Sequence, residues 1–161
     1  SFRSTQNSGG HTRRSSEYRP IMLIAYDSRK DSLVKVKTLF KHLQPSGTTP
    51  EGLCFEAIQK DLIPGNSTQD SYFINFSDGQ PYYGNSDISY CGPSAEGHTR
   101  KMVGKMRDMG ISVLSYFIGG SYESSYDREA FTNMYGSDSE FINVTSVIDV
   151  ARTMNKRFLT K

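Results

Sequence analysis

Four short apolar runs, rich in strand-forming residues and set apart by segments of helical periodicity, constrain this chain more than any other feature. They are PIMLIAYDS at 20–28, SYFINFSD at 71–78, ISVLSYFIGG at 111–120 and EFINV at 140–144. Each is too short to cross a bilayer and carries the β-branched and aromatic residues that suit a pleated, buried surface. Turn residues follow the middle two: Gly79 and Pro81 after one, Gly119 and Gly120 after the other.

The intervening segments read as helices. In 31–43, Leu33, Val36, Leu39, Phe40 and Leu43 recur every three to four residues, which predicts one apolar helix face, with Asp31 or Ser32 as cap and Pro45 and Gly47 as the stop. A second helix is expected from Thr49 or Pro50, with Glu51 in its first turn, apolar surface from Leu53, Phe55, Ala57, Ile58 and Leu62, and Pro64-Gly65 as its end. Residues 80–93 contain Tyr82, Tyr83, Gly84, Tyr90 and Gly92 without helical spacing and read as a long loop. A helix at about 94–109 turns Met102, Val103, Met106 and Met109 inward as core filling. Shorter helices are expected at 127–135 and 146–159.

Strands alternating with helices imply an α/β fold: a three-layer, mostly parallel, Rossmann-like sheet with helices on both faces. At 161 residues the chain fits a single domain spanning 1–161. Residues 1–19 are polar and turn-rich, the reading being a loop in which Arg3, Arg13, Arg14 and Arg19 are solvated.

Charge and composition exclude some partners. Nineteen basic against seventeen acidic residues leave +2, so no nucleic acid is predicted. No run approaches the length of a membrane span. Cys54 and Cys91 are too few for a disulfide scaffold and read as reduced thiols, which favours the cytoplasm. The glycosylation-type triplets at Asn66, Asn75 and Asn143 read as chance matches, Asn75 falling inside a buried strand.

Two loops hold the candidate chemistry. SGTTPEG at 46–52 puts Thr48 and Thr49 at a helix start, and FSDGQP at 76–81 puts Asp78 at a strand end. Hydroxyl and carboxylate oxygens suit a hard divalent cation. The same residue types also serve as an ordinary helix cap and an ordinary turn residue. Neither a paired-carboxylate arrangement nor a nucleophile with its base emerges, so no enzyme is expected.

A threonine-proline loop before a helix, joined with a hydrophobic strand ending in Ser77-Asp78-Gly79, resembles the von Willebrand factor A family, whose element order 20–161 also follows. The resemblance implies a metal ion-dependent adhesion site in which Thr49, or Thr48 in the competing register, and Asp78 are ligands. No aspartate-any-serine-any-serine motif is present; the nearest imitation, Asp27-Ser28-Arg29-Lys30-Asp31, has Arg29 where a serine belongs. The expectation is a domain incomplete at its N-terminus, with SFRST at 1–5 a partial strand and the missing strand supplied by an upstream segment or a partner chain.

The function implied by the resemblance is non-catalytic protein binding. Mg2+, or Mn2+ or Ca2+, completed by upstream ligands, would bridge to an exposed Asp or Glu of a partner protein, in the manner of an adaptor to an AAA+ ATPase. Gln80, Tyr82, Tyr83, Asn85, Asp87 and Tyr90 form the expected partner-binding rim. The competing expectation is a metal-free structural domain of a larger assembly.

Overall fold

The computed structural model describes residues 26–42, 47–85, 87–119, 125–136, 139–143, 151–152 and 155–156. The expected polar loop at 1–19 and the run 20–25 lie outside the described residues, as does most of the closing helix, of which 151, 152, 155 and 156 are helical. Tyr26, Asp27 and Ser28 are not in a strand.

Helix α1 (Leu33–Leu39) starts where the Ser32 hydroxyl accepts a hydrogen bond from the Lys35 amide at 3.3 Å, and it tightens into a 3-10 turn at Phe40–His42. Its expected inner face is only partly inward. Val36 is buried, whereas Leu33 and Phe40 are each 54% exposed. Helix α2 (Glu51–Ile58) follows Pro50 and buries Glu51, Gly52, Leu53 and Phe55 before a second 3-10 turn at Gln59–Asp61.

Strand β1 (Ser71–Ser77) is followed by β2 (Tyr83–Gly84) and β3 (Ser89–Tyr90), an antiparallel ribbon inside the stretch expected to be loop. Helix α3 (Gly92–Asp108), strand β4 (Ile111–Gly119), helix α4 (Ser125–Tyr135) and strand β5 (Ser139–Asn143) complete the described elements. β1 pairs in parallel with β4, and β4 in parallel with β5.

Period-2 alternation decides which side of this sheet meets the helices. Phe73, Ile111, Val113 and Phe117 face Phe55 of α2, Met102, Val103 and Met106 of α3, and Phe131, Met134 and Tyr135 of α4 in one core. The aromatic members meet edge-on: Phe55 with Phe73 at 5.2 Å between ring centres, and Phe117 with Phe131 at 5.3 Å.

The expected fold class needs correction. Among the described residues there is no single broad sheet; three parallel strands in the order β1-β4-β5 form one sheet and the β2-β3 ribbon forms another. The larger sheet grows in one direction, through α3 and then α4, and both helices pack on the same core. Crossovers of constant hand change face only when strand order reverses. No such reversal occurs among the described strands, so the three-layer Rossmann-like arrangement and its ligand crevice do not follow.

Candidate functional site

The carboxyl end of β1 gathers the polar residues expected to carry chemistry. Ser77 and Asp78 leave the strand, and Gly79 turns the chain with φ of +85°, a conformation that suits glycine. A side chain at Gly79 would also run into the ring of Phe117. The Ser77 hydroxyl accepts the Gly79 amide at 2.9 Å, and the Asp78 carboxylate accepts the Gln80 amide at 3.3 Å.

Thr49 joins this turn from the α2 side. Its amide donates to the Tyr82 carbonyl at 2.8 Å and its carbonyl accepts the Tyr82 amide at 3.0 Å. The Thr49 hydroxyl donates to the Gln80 carbonyl at 2.6 Å, and the Gln80 side-chain amide donates to Asp127 on α4. Thr49 and Asp78 therefore meet through Gln80, one bonded to its carbonyl and the other to its amide. Thr48, the competing register, is half-buried beside them.

This geometry does not fit the expected metal centre. The Thr49 hydroxyl and the Asp78 carboxylate complete a turn, and among the described residues no group of three or more His, Cys, Asp or Glu is placed to hold a metal ion. The metal-bridging reading, with its divalent cation at Thr49, Thr48 and Asp78, is corrected accordingly.

The dominant group here is one that spacing alone passed over. Glu51, noted in the sequence only as a first-turn acid, is buried at the start of α2. The Tyr135 hydroxyl of α4 donates to its carboxyl at 2.8 Å and accepts the Asn75 side-chain amide of β1 at 2.9 Å. Burial raises the Glu51 pKa above the usual carboxyl range, while hydrogen bonds with Ser77, Tyr135 and Asn75 act in the opposite direction. The Tyr135 phenol is also pushed up, by burial and then by the neighbouring Glu51 charge. Asn75 and Ser77 share the core-facing side of β1 with Phe73, so a legible signal existed: two polar residues on the buried phase of a strand.

The expected partner rim divides. Gln80, Tyr82, Asn85 and Asp87 are exposed, with Tyr82 49% accessible. Asn85 shapes the ribbon turn by accepting the Asp87 and Ile88 amides at 2.9 and 2.7 Å, while its amide donates to the Tyr83 hydroxyl. Tyr83 packs half-buried against the cluster of Leu53, Tyr90 and Ala95.

Tyr90 is fully buried and belongs to the core, not the rim. Its hydroxyl donates to the Ala95 carbonyl at 3.2 Å and lies 3.1 Å from His98 Nδ1 and 3.3 Å from Thr99 Oγ1. His98 Nε2 lies 3.5 Å from the Glu56 carboxyl, which ties α3 back to α2.

Comparison with protein-family models, with curated proteins and with solved structures returns no match in any of the three. The resemblance to the von Willebrand factor A family is thus confined to short motifs, and the small, separate sheets do not sustain it. No helix among the described residues is long and apolar enough to cross a membrane.

Proposed function

We propose that this chain is a non-catalytic, metal-independent structural and interaction domain within a larger assembly. The observation that carries this reading is the Glu51–Tyr135–Asn75 chain of hydrogen bonds, which fastens the start of α2 to the end of α4 and the middle of β1. A buried carboxyl whose ionised form is disfavoured, and whose oxygen is taken by a phenol, acts as an internal fastener rather than as a ligand for an incoming group. Thr49 and Asp78 serve the same end at the surface by closing the turn at Gln80.

Contact with other proteins falls to the side chains left outside these fastenings. Tyr82 and Tyr126 are large, rigid and exposed near the same end of the sheet, the residue type that anchors interfaces. Cys54 and Cys91 form no disulfide among the described residues, which fits a cytoplasmic setting.

Thermal unfolding of the intact chain in magnesium, in manganese and in chelator tests the reading. The expected outcome is one midpoint in all three conditions, since a ligand that does not bind the native state cannot stabilise it. A midpoint raised by metal in the parent and not in Asp78→Ala would overturn metal independence.

A further inference from the structure

We draw no further inference here: the strongest candidate, the groove of about 430 Å³ at the start of β4 lined by Tyr72, Arg107 and residues 110–114, is a surface for which nothing in the structure shows what covers it.

Discussion

Helix α2 is fastened at two polar joints that differ in burial. At its first residue, Glu51 meets Tyr135 directly, with Asn75 behind the phenol. Further along, Glu56 and Tyr90 are separated by His98, whose ring nitrogens face one on each side. The first joint is almost dry. The second opens toward solvent, the His98 side chain being 14% accessible and that of Glu56 35%. Burial disfavours charge on whatever group it encloses, so it raises the Glu51 pKa and lowers that of His98. The same physical cause thus gives the two joints opposite responses to pH.

The largest expected effect comes from the tight approach at the second joint. A β-carbon at position 52 would run into the Tyr90 hydroxyl and come within 2.8 Å of Thr99 Oγ1 and 2.9 Å of His98 Nδ1. Gly52→Ala is expected to cost about 3 kcal/mol by overpacking, because all three approaches are under 3.0 Å and Tyr90 and Thr99 are fully buried, which outweighs the gain of about 1 kcal/mol that alanine brings to a helix. Urea denaturation measures it. A stabilised Gly52→Ala would mean that Tyr90, His98 and Thr99 move aside freely, and the second joint would then be a loose contact rather than a fastening.

Tyr135→Phe breaks the first joint while keeping its shape. The Glu51 carboxyl loses one of its donors, keeping those of Ser77 and Asn75, and the Asn75 amide loses the phenol as acceptor, which is expected to cost about 1 kcal/mol. A double-mutant cycle with Glu51→Gln should be non-additive, since the two groups share one hydrogen bond. The pH dependence has a definite sign. Glu51 binds its proton more tightly folded than unfolded, so its contribution is complete below the ordinary carboxyl value of 4.5 and is lost as pH rises through the folded value. Glu51→Gln removes that loss and should gain on the parent as pH rises. Parallel stability curves for the two proteins would mean Glu51 titrates as an ordinary surface acid.

Element positions were legible in the sequence to a useful degree, and their assembly was not. The apolar runs at 71–78 and 111–120 become β1 and β4, because a run of strand formers bounded by turn residues has few other fates. Met102, Val103 and Met106 face the core as helical spacing requires. Alternation alone did not reveal whether strand order reverses, and the described strands add in one direction, β1-β4-β5. On α1, spacing identified a stripe but not its partner, and Leu33 and Phe40 face outward. At the candidate site, Thr49 and Asp78 were singled out for oxygen chemistry that a turn uses just as well. Glu51, Asn75 and Tyr135 are far apart in the chain, and only tertiary contact makes them one network. Tyr90 looked like rim because its loop is polar, yet its ring fills the gap between α2 and α3.

The smallest expected effect tests the opposite sign at the second joint. His98 titrates below its ordinary value of 6.5, chiefly because burial penalises the imidazolium; Lys101 and Lys105 push the same way and Glu56 pushes back. A depressed histidine pKa means the folded state favours neutral imidazole. Its stabilisation is then complete above 6.5 and is lost as pH falls through the folded value. Glu56 and partial solvent access both soften the penalty, which places this effect behind those of Gly52 and Tyr135. His98→Gln should flatten the stability curve on the acid side of 6.5 and leave the Glu51 arm untouched. Proton NMR of the imidazole resonances, with the His98 signal assigned by its disappearance in His98→Gln, reads the titration directly. A midpoint at or above 6.5 would show Glu56 winning over burial, and the two joints of α2 would then respond to pH in the same direction.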